Sequence, residues 1–184
     1  MTVAELLALP EDACWQYELV EGRLVRMPAS GFEASRIAGR LLAALLTFVE
    51  DRGLGAVTGP DGTYDLTQPG DTEETGLVPD VAFVQAAHIP PRSSAEYAKA
   101  LRLAPDLVVE VVSPSQYRPE MRAKAARYLD AGVRLVWTVW PKYQQVDVWR
   151  PGTTQPVATL TVNDTLDGLD VIPGFSYPVA RLFA

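Results

Sequence analysis

Apolar positions recur along this chain with two periods, and each change of period marks an element. Thr2-Val3-Ala4-Glu5 has the form of a capping box and predicts a short helix through Leu9, stopped at Pro10. Tyr17-Glu18-Leu19-Val20 and Arg23-Leu24-Val25-Arg26-Met27 are β-prone runs around Glu21-Gly22, which predicts a hairpin. Ser30-Gly31-Phe32-Glu33 reads as a second capping box. Behind it Ile37, Leu41, Leu42, Leu45, Phe48 and Val49 recur at helical spacing until Gly53 supplies a stop. Short strands are expected at 56–58 and 63–66, a polar loop at 67–76, and a strand at 78–84. Residues 86–105, rich in Pro, Ser and Ala, read as loop with room for one short helix.

The second half changes character. Residues 107–112 form a continuous apolar run broken only by Glu110, the pattern of a strand buried on both faces. A helix is expected from about Pro119 to Gly132, then a buried strand at 133–140, a turn at 141–144, and a strand at 146–149. This order predicts an α/β (α+β) fold, a mixed central sheet with helices packed on it. No repeat, low-complexity tract or linker divides the chain, so the 184 residues are expected to form a single domain spanning 1–184.

Composition narrows the possibilities. No apolar run approaches the roughly 18–20 residues that span a bilayer, and the N-terminus lacks the features of a secretory signal. Cys14 is the only cysteine, so no intrachain disulfide and no cysteine-rich zinc site can form, and a cytoplasmic protein is the simplest reading. His88, the single histidine, excludes a histidine-rich zinc centre and reads as a loop residue. A Ser-His hydrolase fits poorly, since no Gly-x-Ser-x-Gly occurs. The formal charge of −7 argues mildly against tight nucleic-acid binding, although a bound divalent metal adds positive charge locally.

Three residues stand where their chemistry needs a partner. Glu110, inside Leu-Val-Val-Glu-Val-Val, would cost several kcal/mol if buried, ionised and unpaired. It meets an arginine in one reading and a functional cation in the other. Asp80 opens the strand after Pro79; two carboxylates on neighbouring strands can share one Mg²⁺ or Mn²⁺. Winding the 119–131 helix at about 100° per residue puts Met121, Ala125, Tyr128 and Leu129 on its apolar face. Lys124 falls inside that arc, either snorkelling at the flank or directed at an anionic site formed by Asp80 and Glu110. We favour the second.

The motifs 17–22, 79–84 and 107–115, followed by Lys124, Tyr128-Leu129, Ala131-Gly132-Val133 and Val136-Trp137, occur in the order and spacing of a known family. From about Tyr17 to Trp149 the chain resembles the Uma-type "putative restriction endonuclease" family of the PD-(D/E)xK superfamily. The resemblance implies a restriction-endonuclease-like fold and phosphodiester hydrolysis, with DNA as substrate and a homodimer as the expected assembly. It implies Asp80 and Glu110 as the paired acidic residues. Val112 stands at the usual lysine position, the lysine having moved to Lys124. Glu21 is an added carboxylate of the same site, unless it is simply a hairpin tip. Asp80 and Glu110, with the Val111 carbonyl, would hold Mg²⁺ or Mn²⁺, and Lys124 would orient water or stabilise the phosphoryl charge. Arg36, Arg40, Arg92, Lys99, Arg102, Arg118 and Arg122 are candidate phosphate contacts. Ser35 replaces a frequent His, Gln116 a usual Asp, and Trp140-Pro141 an Asp-Pro. The alternative is an inactive nuclease fold used for binding or assembly, with Trp137, Trp140, Tyr143 and Trp149 as a dimer surface; we prefer to read these as core.

Overall fold

The computed structural model describes residues 1–10, 15–28, 30–94, 97 and 100–184; Cys14 and Lys99 lie outside them. Helix α1 (Val3–Leu7) is closed by the expected reciprocal box between Thr2 and Glu5, and it ends earlier than Leu9. Strands β1 (Trp15–Val20) and β2 (Arg23–Pro28) form the hairpin, with Glu21 and Gly22 in its turn at positive φ. Helix α2 (Phe32–Glu50) follows. Its N-cap is Gly31, with no side-chain acceptor, so the box expected at Ser30 does not form: the helix starts one residue too late for it.

Next come β3 (Gly55–Thr58), β4 (Tyr64–Asp65), β5 (Gly76–Leu77), β6 (Val81–Gln85) and β7 (Leu107–Val111). Between the last two, Ala86–His88 makes a single 3-10 turn. Helix α3 (Arg118–Asp130) leads to β8 (Leu135–Trp140) and β9 (Gln145–Trp149). The final stretch, to which the sequence pattern assigned nothing, contains β10 (Ala158–Leu160), β11 (Thr165–Asp167), β12 (Ser176–Pro178) and α4 (Ala180–Phe183). No described helix is long and apolar enough to cross a membrane.

The central sheet has six strands in the order β10-β9-β8-β7-β6-β3. Strands β7 and β8 run parallel, and the other neighbours run antiparallel, so the sheet is mixed. A parallel pair needs a crossover, and α3 is that crossover. A second sheet, β2-β1-β5-β4, joins through the short link from β5 into β6. β11 and β12 make a separate pair.

Side chains alternate between the faces of a strand, and here the alternation sorts the whole centre. Val81 and Phe83, Leu107, Val109 and Val111, and Leu135, Trp137 and Val139 pack with Ile37, Leu41, Leu45 and Val49 of α2. Burying each such α2 side chain is worth about 1.5–3 kcal/mol. The C-terminal stretch closes this layer with Leu166, Ile172, Phe175, Val179 and Leu182. The opposite face presents Ala82, Val84, Val108 and Val136 to Ala125 and Tyr128 of α3. By the same parity Glu110 points towards α3. Trp137, Trp140 and Trp149 are buried in the core, and Tyr143 is exposed.

Candidate functional site

Where the two sheets meet beneath α3, three carboxyl groups and one ammonium come together. Lys124 Nζ lies 2.9 Å from Glu110 Oε2 and 2.9 Å from Glu18 Oε1. Tyr128, one helical turn further on, donates its hydroxyl to Glu110 Oε1 at 2.6 Å. Asp80 Oδ2 accepts the backbone N–H of Val111 at 2.6 Å, tying the start of β6 to the end of β7. Glu18 Oε1 also accepts the N–H of Val78 at 3.0 Å. Glu18, Glu110, Lys124 and Tyr128 are buried, and Asp80 is partly open. Asp80, Glu110, Val111 and Lys124 line one cleft of about 160 Å³, together with Gln16, Arg26, Ser113, Ser115 and Gln116.

Each side chain reaches this place through its element. Lys124 belongs to the face of α3 that buries Met121, Ala125 and Tyr128, which is where the helical wheel put it; Leu129 is only half-buried. Snorkelling is excluded by its burial between two carboxylates.

Sequence reasoning missed Glu18 and named Glu21 in its place. Glu21 is exposed in the hairpin turn at φ 48, its backbone N–H bonded to Thr75 Oγ1, and it lines a different pocket. The physical reason is strand parity. Gln16 lines the cleft and Val20 packs towards α3, so Glu18 between them faces the same way, whereas the chain has already left β1 at Glu21. The signal in the sequence is weak: Glu18 falls on a polar position of an alternating strand, Trp15–Val20, where a glutamate is unremarkable.

Burial and mutual repulsion govern the protons. Burial pushes Glu110 up to about 8; Lys124 opposes the rise, Asp80 and Glu18 add to it, and the Tyr128 hydroxyl opposes it. Asp80 also rises, by burial first, against the Val111 N–H and Lys124. Burial pulls the Lys124 ammonium down, but Glu110 and Glu18 outweigh it and hold it above its ordinary value. Tyr128 is kept protonated by burial and by Glu110. At neutral pH the lysine is therefore charged, and Glu110 is a group that can titrate.

The donor set is sparse and hard. Among the described residues no three His, Cys, Asp or Glu side chains converge closely enough to cage a metal. Asp80 has a second oxygen that no described donor engages. Each oxygen of Glu110 takes one donor, and a carboxylate oxygen can accept two. Two carboxylates, the carbonyl of Val111 and water would make the kind of shell Mg²⁺ takes.

The arginines sort differently from expectation. Arg36 and Arg40 donate to carbonyls at the C-terminal end of the chain, Arg40 NH1 reaching Arg181 O at 2.9 Å and Leu182 O at 3.1 Å, so each has one nitrogen engaged by α4 and its C-cap. Arg102 lies 3.9 Å from Asp65. Arg118 pairs with Asp147 at 3.2 Å. Arg92 and Arg122 have no partner among the described residues. His88, expected in a loop, sits in the 3-10 turn with Nδ1 3.0 Å from the buried Asp106.

Residues 3–180 match a family described as "putative restriction endonuclease". The crystal structure of "a putative nuclease" from Anabaena variabilis shares the fold with a TM-score of 0.80 at 22% identity, covering 100% of this chain and 97% of that one. No curated protein matches the chain.

Proposed function

The chain belongs to this restriction-endonuclease family, and from that membership we propose that it is a metal-dependent nuclease that hydrolyses phosphodiester bonds in DNA at the Asp80, Glu110 and Lys124 centre. One observation carries the reading. Two carboxyl groups on adjacent strands and the ammonium from the crossover helix converge on one cleft, with Lys124 Nζ 2.9 Å from Glu110 Oε2.

Asp80 and Glu110, with the backbone carbonyl of Val111, would hold Mg²⁺ or Mn²⁺. When bound, such a cation supplies a Lewis acid for the phosphate and lowers the pKa of a water. The remaining work falls to the chain's own groups. Three carboxyls against one ammonium leave an excess of negative charge that favours a divalent cation over a monovalent one. Lys124 keeps its charge through Glu110 and Glu18, which occupy two of its three N–H donors. The third is left for a phosphoryl oxygen, where a fixed positive charge stabilises the charge that develops in hydrolysis. Tyr128 and the Val111 N–H hold the two carboxylates in orientation. A homodimer remains part of this proposal by analogy with the fold class.

Calorimetric titration of Mn²⁺ and Mg²⁺ into the wild type and the Asp80→Ala/Glu110→Ala double variant tests the reading, followed by incubation of both with plasmid and single-stranded DNA. Metal binding and cleavage in the wild type, both lost in the variant, are expected. A wild type that binds neither metal would leave a polar network in a nuclease fold used for binding or assembly.

A further inference from the structure

Two arginines flank the cleft, and each is laid on aromatic rings. On the hairpin side Arg26 lines the cleft, its guanidinium 3.9 Å from the centre of the Trp15 ring. On the other side Arg118 opens α3, just after the cleft residues Ser113, Ser115 and Gln116. Its guanidinium lies 4.6 Å from the Trp140 ring centre and 5.4 Å from that of Tyr143. Because β7 and β8 are parallel, the 140–143 turn leaves the sheet at the same end as Val111. Val112, next to Val111, also packs with Met121 and Trp140, so this second stack adjoins the carboxylates.

Arg118 is half-exposed yet firmly held. The buried Asp147 accepts Arg118 NH1 at 3.2 Å, Trp140 Nε1 at 2.8 Å and Thr159 Oγ1 at 2.6 Å. Gln145 Oε1 takes a second guanidinium N–H at 3.5 Å. A guanidinium has five such donors, so three remain for a ligand. Beside it Tyr143 is 50% exposed and Tyr117 63% exposed, and Lys142 Nζ lies 5.6 Å from the Tyr143 ring. A carboxylate buried in Val-Asp-Val-Trp thus fixes a half-exposed arginine next to a half-exposed aromatic ring.

We infer that the two stacks are the ends of a track for a single-stranded segment of DNA, with Arg26 and Arg118 on its phosphates and Tyr143 stacking on an unpaired base. Stacked arginines and open aromatic faces suit single strands, because every base offers a π-face once it is unpaired, whereas a duplex hides these faces. The track rests on the nuclease reading for its purpose, but its geometry is independent of the metal. It also supplies local positive charge on a chain whose net charge is −7.

The test is fluorescence anisotropy of a labelled single-stranded oligonucleotide with the full chain, in EDTA. Tyr143→Ala is expected to weaken binding at least about fivefold and Tyr143→Phe to retain it. Arg26→Ala is expected to lower the slope of log affinity against log salt by about 0.7. Arg52→Ala is the matched control. Its guanidinium lies 3.9 Å from the Phe48 ring, the same kind of stack, in the turn just past the end of α2, and its loss is expected to change nothing. A wild type that does not bind the oligonucleotide overturns the track, as do Tyr143→Ala and Arg26→Ala variants that bind like wild type. So does an equal loss in Arg52→Ala. Failure of the nuclease reading looks different: DNA binding that depends on Tyr143, with no metal bound by the wild type. Conversely, metal-dependent cleavage with unaltered affinity in Tyr143→Ala removes the track and leaves the nuclease.

Discussion

Replacing Lys124 by methionine keeps most of its length and removes its charge. Glu110 and Glu18 would then share a buried space without the ammonium that now lies 2.9 Å from each. A buried carboxylate with no counter-charge takes up a proton instead of staying ionised. Glu110 already stands at about 8 in the wild type, so at pH 7 the variant must bind one further proton that its unfolded chain does not hold. An ordinary glutamate titrates near 4.3, so neutralising one at pH 7 costs about 2.7 pH units, or about 3.7 kcal/mol. That agrees with the roughly 3–5 kcal/mol lost when a buried pair is broken from one side. The sign follows from the proton count. The folded variant binds more protons than the unfolded chain above about pH 4.3, so its stability falls as pH rises. At pH 5 the cost shrinks to about 1 kcal/mol. Urea unfolding followed by tryptophan fluorescence, with chelator present, at pH 5 and pH 7 measures both values. A destabilisation of the same size at both pH values would show that packing, not charge, accounts for Lys124.

Metal affinity should rise with pH, by up to about tenfold per unit below the Glu110 value near 8, and level off above it, because binding needs the ionised carboxylate. Calorimetry in buffers of different ionisation enthalpy should detect the released proton, and a pH-independent affinity would exclude Glu110 as a ligand. Thr138→Val removes the acceptor 3.1 Å from the buried Trp149 Nε1 and should cost about 1–3 kcal/mol in urea unfolding, with Trp149→Phe relieving most of that loss. Gly39 lies on the exposed side of α2, where an added methyl group would meet nothing within 4 Å, so Gly39→Ala should stabilise by about 0.5–1 kcal/mol; a loss would mean the helix is held away from ideal geometry there.

Most of the scaffold around the centre was legible because its signals are local. The 3.6-residue spacing from Ile37 to Val49 marks α2, and the apolar runs, each broken by a single polar residue, mark β7 and β8, whose neighbours cover both faces. Glu110 and Lys124 stood out because each breaks the apolar pattern of its own element, and Asp80 gained its meaning only in combination with them. Glu18 was lost for the opposite reason: polar and apolar residue types alternate from Trp15 to Leu19, so a glutamate there breaks no rule. Its partner lies far along the chain, and only the folded arrangement reveals it. The region beyond Trp149 was silent for a related cause. Its strands have three residues each, and its core contacts, Leu166, Ile172, Phe175 and Val179, are scattered among turns with no sustained period. Boundaries also slipped at Gly31, where a glycine caps the helix by conformation alone, leaving no side-chain signature.

The bridge that Lys124 makes between Glu18 and Glu110 has a consequence for the order of events in the cell. Its parts come from the N-terminal hairpin, a central strand and a later helix, so no contiguous stretch of the chain can assemble it. During synthesis the acidic half emerges first and waits for its cation. A chain cut short before α3 would carry carboxylates that repel one another and would hold neither the lysine nor the parallel strand behind it. The centre is therefore closed only once α3 has been made and packed, whatever the fate of the strands that precede it.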